Sequence, residues 1–130
     1  MSFITRWIKP IMIISGGLTL TMIYAVFAPQ AALSGMFGDT LSGPLAEIIV
    51  RNWGALIAIG GAMLLWGAFH PEVRSLVLLA VGGSKLVFIG LVLLCGWEYI
   101  SGQAGWAIGI DALWVVLFAL YLLESRRSAR

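Results

Sequence analysis

Four apolar runs, each long enough to cross a bilayer as a helix, decide what this chain can fold into. A hydrocarbon core takes about 20 consecutive apolar residues, at roughly 1.5 Å of rise each. Runs of that kind occupy residues 7–28, 44–69, 72–97 and 106–123 and leave little else in a chain of 130 residues. Glycines and β-branched residues are scattered through them, but the runs are far too long for strands and do not alternate. Short connections between long helices predict an all-α protein, an integral membrane four-helix bundle of up-down-up-down order, forming one transmembrane domain over residues 1–130. Composition agrees. Hydrophobic residues make up 61% and charged residues 11%, where soluble domains carry about a quarter charged residues. With a mean hydropathy of +1.01, such a chain has too little polar surface to cover a water-soluble globule.

The breaks between runs follow backbone chemistry. Pro10 is expected in the first turn of the first helix, where a missing N–H costs little. Pro29 stops that helix. Residues 30–43 read as a Gly- and Ser-containing loop, with a short interfacial helical turn at residues 31–37. Pro44, behind Ser42 and Gly43, suits a first helical position. His70–Pro71 reads as a tight reversal, and Ser101, Gly102 and Gly105 mark the last loop. The apolar stretch from residue 11 to 28 exceeds the 7–15 residues or so of a signal core, and Pro29 after Ala28 would block cleavage, so this run is expected to remain as a span.

Charge distribution predicts orientation. One side carries both termini and the second connection, with Arg6, Lys9, Arg74, Arg126, Arg127 and Arg130. The other carries Asp39 and Glu98 and no Lys or Arg. The positive-inside rule then puts both termini in the cytoplasm. The net charge of +2 is this asymmetry. It does not point to nucleic acid, because the basic residues sit at span ends. Trp7, Trp97, Tyr99 and Trp106 fall where an interfacial aromatic belt belongs.

Apart from those at the cytoplasmic ends, four charges lie within the spans: Glu47, Arg51, Lys85 and Asp111. Each costs about 2.5–3.5 kcal/mol at a helix centre, so each is expected to face the bundle interior with a partner. Counted from the non-cytoplasmic side, Arg51 lies roughly 10 Å deep and Asp111 roughly 8 Å, and Lys85 lies roughly 18 Å deep with a stem able to snorkel upward. Glu47 shares a helical face with Arg51. Two acids and two bases sum to zero, so a neutral network of Glu47, Arg51, Lys85 and Asp111 is expected, flanked by Asn52. Arg51 is placed on a face with Ala55, Ala58 and Ala62, beside Gly54 and Gly61, where small residues permit close helix approach. Ala80 and Ser84 form a weaker step of the same kind. Asp111 shares a face with Ile108, Trp114, Val115 and Phe118, a polar group beside aromatic rings. Such a network serves as inter-helical glue, or as a polar site in an apolar cavity that opens toward the non-cytoplasmic side. An ion route would need polar residues onward to the cytoplasm, where only Ser15, Thr19 and Thr21 are available.

Other chemistries are poorly supplied. His70 reads as a turn residue or helix cap, and the membrane separates it from Asp111, which defeats a Ser–His–Asp arrangement. The single cysteine, Cys95, excludes an internal disulfide and a cysteine-based metal site and reads as a small buried hydrophobe. The pairs Gly16–Gly17, Gly60–Gly61 and Gly82–Gly83 read as packing glycines. No metal and no cofactor is expected, and no nucleophile, base and electrophile set is recognisable.

The R-N-W-G segment Arg51–Gly54, the acid Asp111 early in the last run and the closing L-Y-L-L-E of residues 120–124 resemble the small four-helix bacterial membrane proteins of the DoxX-like type, including uncharacterised relatives. The resemblance covers most of the chain. It implies a membrane bundle acting as an accessory component of a larger membrane system, sometimes linked to quinone or thiol redox chemistry. One cysteine does not supply the pair that a thiol role needs. The leading expectation is therefore a non-catalytic accessory subunit or assembly partner, with membrane lipids and a protein partner or second copy around it. The alternative is a binder or carrier of a small amphipathic ligand, a lipid or quinone, held by Glu47, Arg51, Asn52, Lys85, Asp111 and Trp114. A proton-coupled transporter ranks behind both.

Overall fold

A computed structural model describes residues 3–128, and these are helical with no strand among them. Helix α1 (Phe3–Phe27) includes a 3-10 turn at Thr21–Ile23. Then come α2 (Pro29–Phe37), α3 (Pro44–Phe69) and α4 (Pro71–Cys95). A 3-10 turn at Trp97–Tyr99 leads into α5 (Gln103–Ser128). Helices α1, α3, α4 and α5 are each long and apolar enough to cross a membrane.

Proline sets most of the boundaries. Pro29, Pro44 and Pro71 each open a helix, where the fixed φ is preorganised and the absent N–H is not missed. Pro10 is an exception. Because α1 begins at Phe3 rather than near Trp7, Pro10 lies inside the helix and not in its first turn. At the other end of α1, Thr21 returns a hydroxyl hydrogen bond to the Leu18 carbonyl, where the helix tightens to 3-10 geometry. The chain leaves helical geometry at Ala28 and restarts as α2, which is longer than the expected interfacial turn. It ends at Gly38, whose φ of 69° is the left-handed conformation glycine adopts most readily.

The His70–Pro71 reversal is tied down from both sides. His70 stacks on Trp66 at 3.7 Å between ring centres and donates from Nδ1 to the Trp66 carbonyl at 2.9 Å. Arg74 donates from Nε to the Gly67 carbonyl and from Nη2 to the Ala68 carbonyl, at 3.1 and 2.7 Å, in the last turn of α3, where Gly67 also accepts the His70 N–H. Lys9 lies over the Phe69 ring, so the start of α1 sits beside this turn.

Helices α1 and α3 pack backbone on backbone. A Cβ added at Gly61 would lie 2.5 Å from the Leu20 nitrogen and 2.7 Å from the Gly16 oxygen; one at Gly54 would lie 2.5 Å from Ala25 Cβ. The close-contact stripe on α3 is therefore Gly54, Ala58 and Gly61, all buried, whereas Ala55 is half-buried and Ala62 exposed. Relative to the expected face of Ala55, Ala58 and Ala62, the helix is turned by about one residue. Each glycine pair divides its work. Gly16, Gly61 and Gly82 are buried, while Gly17 and Gly83 have open space where a Cβ would go. The core gathers Ile8, Met12, Leu64, Leu78, Trp114 and Phe118 around the end of the molecule that holds the His70 turn. Cys95 is exposed rather than buried, because the last turn of α4, with Leu94, stands clear of the other helices.

Candidate functional site: a cleft among the spanning helices

The packed core stops at about the level of Trp114, and beyond it the four long helices enclose a cleft of about 530 Å³. Small-molecule sites commonly hold about 300–1,000 Å³. Its walls come from α1 (Thr19, Met22), α3 (Trp53, Gly60), α4 (Val81, Lys85) and α5 (Asp111, Trp114). Met36 of α2 lines its end, and Phe37 beside it packs against Trp53 and edge-on to Tyr99. Leu56 and Ile59 of α3 and Ala80 and Ser84 of α4 line the cleft while remaining exposed, which puts its opening on a flank of the bundle. The charge pattern places the opening toward the non-cytoplasmic side, whereas α2 lies across the end of the cleft that holds Met36.

Three inward stripes bring polar atoms together on the wall. On α4 the buried positions Val77, Val81 and Lys85 recur every four residues, which puts the lysine on the core-facing side. On α5 the half-buried Asp111 precedes the buried Trp114 and Phe118 at helical spacing. On α1 the buried Met12, Ser15 and Thr19 do the same, Ser15 bonding back to the Met12 carbonyl. Where the stripes meet, Lys85 Nζ donates to Asp111 Oδ1 at 2.8 Å and to Thr19 Oγ1 at 3.2 Å. The Lys85 side chain is 9% exposed and that of Asp111 21%. This is the one ion pair among the described residues. Removing one partner of such a pair costs about 3–5 kcal/mol, whereas replacing both by apolar groups is often neutral.

The other sequence-selected residues go elsewhere. Arg51 donates from Nη1 to the Val26 carbonyl at 2.7 Å and is exposed, as is Asn52. Arg51 thus does turn toward a neighbouring helix, but its acceptor is backbone. Val26 lies in the last turn of α1, and the chain leaves helical geometry at Ala28, so its carbonyl has no helical donor. Glu47 is half-buried in the first turn of α3. Glu47, Arg51 and Asn52 do not line the cleft. The expected network of four charges is thus a Lys85–Asp111 pair joined by Thr19, with Trp114 beside it. Thr19 had been considered only for an ion route. Its signal was a hydroxyl at the depth of Lys85 within an otherwise apolar run. Trp53, Met36 and Phe88 line the cleft without any sequence cue to set them apart from core aromatics.

No protein-family model, curated protein or solved structure matches the chain.

Proposed function

We propose that this protein is an integral membrane bundle that binds a small amphipathic molecule, with the polar end at Lys85 and Asp111 and the apolar part along the cleft. One observation carries the reading: an apolar cleft of about 530 Å³, walled by all four spanning helices, has a charge pair on its side. Intramembrane ionisable residues are costly and mark functional sites by default. Glue alone would not require a hollow beside it. Native mass spectrometry of the protein extracted in mild detergent tests the reading. The wild type carries a non-covalent small-molecule mass, and Ser84→Trp, which fills the cleft from its rim, lacks it while keeping its helicity. A wild type that remains bare after incubation with a membrane lipid extract refutes it.

The finer topology belongs to the same proposal: helices in up-down-up-down order, both termini in the cytoplasm of a bacterial inner membrane. Contacts such as Lys9 with Phe69 and Gly16 with Gly61 support the order, since numbers fall along α3 as they rise along α1. The basic residues at the His70 end support the sidedness. Alkaline phosphatase fused after Gly38 or Gly102 should be active, and fused after His70 inactive; the reverse pattern inverts the topology.

A second reading, an accessory subunit or homo-oligomer, has its own support. In the most apolar stretch of α5 11% of residues are buried in the bundle, against 28%, 28% and 33% for α1, α3 and α4. A partner helix on α5 would cover that face. Disulfide cross-linking through cysteines placed at Leu113 and Leu120, in a Cys95→Ser background, detects such a neighbour. A uniformly monomeric species in lipid nanodiscs and native membranes argues against it.

A further inference from the structure

We infer that the cleft selects an uncharged head group that both donates and accepts a hydrogen bond, an alcohol or primary amide on a single apolar chain. The inference rests on the binding reading above and specifies its ligand. A lysine ammonium has three N–H donors. Asp111 Oδ1 takes one and Thr19 Oγ1 another, which leaves one. Asp111 Oδ2 has no protein donor among the described residues. Both side chains line the cleft. At the ion pair the wall therefore presents one spare ammonium N–H beside one spare carboxylate oxygen, and a hydroxyl or a carboxamide matches both.

Charge balance narrows the choice further. Lys85 and Asp111 sum to zero, whichever of them holds the shared proton. Among the described residues no other charged one lines the cleft, and Arg51 is engaged with the Val26 carbonyl. A phosphate or ammonium head would enter a low-dielectric space without a counter-charge, which is heavily disfavoured. An ester or ketone accepts only, so it leaves the Asp111 oxygen unmatched in a site of this polarity. The remaining walls, including Trp53, Leu56, Met63, Phe88 and Trp114, suit a hydrocarbon chain.

The test is a competition among hexadecyl probes that differ only at the head: hexadecanol, hexadecanamide, methyl hexadecanoate, hexadecyl phosphate and hexadecylammonium. Delipidated protein in mild detergent is mixed with all five, and occupancy is read by native mass spectrometry. The alcohol and the amide should each exceed the other three by about tenfold or more. Asp111→Asn leaves the lysine uncompensated, so preference should move to hexadecyl phosphate. Lys85→Met combined with Asp111→Leu removes both polar groups; the chains should still bind, with the preference among heads lost. If the single variant fails to accumulate, this uncharged double variant carries the test. Equal occupancy by all heads in the wild type, or an alcohol preference that survives the double substitution, overturns the head-group inference and leaves the binding reading standing. A wild type that takes up none of the probes overturns both.

Discussion

Gly61→Ala is the smallest change that should pull the molecule apart. The added Cβ would sit 2.5 Å from the Leu20 nitrogen, 2.7 Å from the Gly16 oxygen and 2.9 Å from the Leu20 Cα, all backbone atoms of α1. Ordinary contact begins at 3.4 Å, so α1 and α3 would have to separate by about 0.9 Å at this point. No side-chain rotation relieves a backbone clash, so the gap propagates along the stripe to Gly54 and Ala25. In lipid there is little hydrophobic drive to hold helices together, and packing is the main attraction. Overpacking costs about 1–3 kcal/mol in general, and contacts made only with backbone belong at the upper end. For a chain of this size, that corresponds to a fall in thermal midpoint on the order of 10 °C. Gly17→Ala is the internal control. It removes the same glycine flexibility one turn position away from Gly16 but meets nothing within 4 Å. The assay is the loss of monodisperse protein on size-exclusion chromatography after heating in one detergent. A Gly61→Ala protein as heat-resistant as Gly17→Ala would refute the backbone-on-backbone account of this interface.

Further substitutions probe separate features. Lys85→Met alone should destabilise by about 3–5 kcal/mol, and adding Asp111→Leu should restore most of the loss; a double-mutant cycle by chemical denaturation measures the coupling. Arg74→Ala removes two hydrogen bonds to the end of α3 and should cost about 1–3 kcal/mol, with faster hydrogen exchange at the His70 turn as the local readout. Arg51→Ala uncovers the Val26 carbonyl but leaves the cleft intact, so it should lower thermal stability without changing the head-group preference in the hexadecyl competition. Gly105→Ala drives a Cβ into the Ile100 carbonyl and should loosen the start of α5, seen as increased proteolysis after residue 100.

The fold was legible because lipid simplifies the code. Length and hydropathy locate spans, and proline and glycine punctuate them, so three of the four expected runs begin or end within a few residues of the helices found. The last run was cut short at both ends. Gln103 at its start and Glu124 to Arg127 at its close do not read as apolar, yet a helix continues past the apolar stretch because propensity and backbone bonding do not stop there. Rotation about each axis was harder to read. Ala55, Ala58 and Ala62 and the set Gly54, Ala58 and Gly61 are both small-residue stripes through Ala58. Only the shape of α1, with Gly16 facing α3, decides between them.

The same distinction explains the site. Counting residues from a span end gives only the level of a charge along its helix. Level alone pairs any acid with any base at that height. What separated Arg51 from Asp111 was a competing acceptor that hydropathy cannot register. The chain leaves helical geometry at Ala28, the Val26 carbonyl in the last turn of α1 stays open, and the guanidinium on the adjoining helix covers it. Lys85 then has Asp111 to itself, and with Thr19 as second acceptor the lysine can remain nearly buried. The polar wall of the cleft is therefore a consequence of a helix break some distance from it. Had α1 run on unbroken past Ala28, the Gln30 N–H would have covered the Val26 carbonyl, and Arg51 would have been released to seek the Asp111 carboxylate. Pro29→Ala lifts the restriction that a proline places on Ala28 and lets α1 continue, so it favours an arginine that competes with Lys85; a double-mutant cycle of Arg51→Ala and Asp111→Asn should then show a coupling in the Pro29→Ala background that the wild type lacks, and equal coupling in both backgrounds refutes the argument.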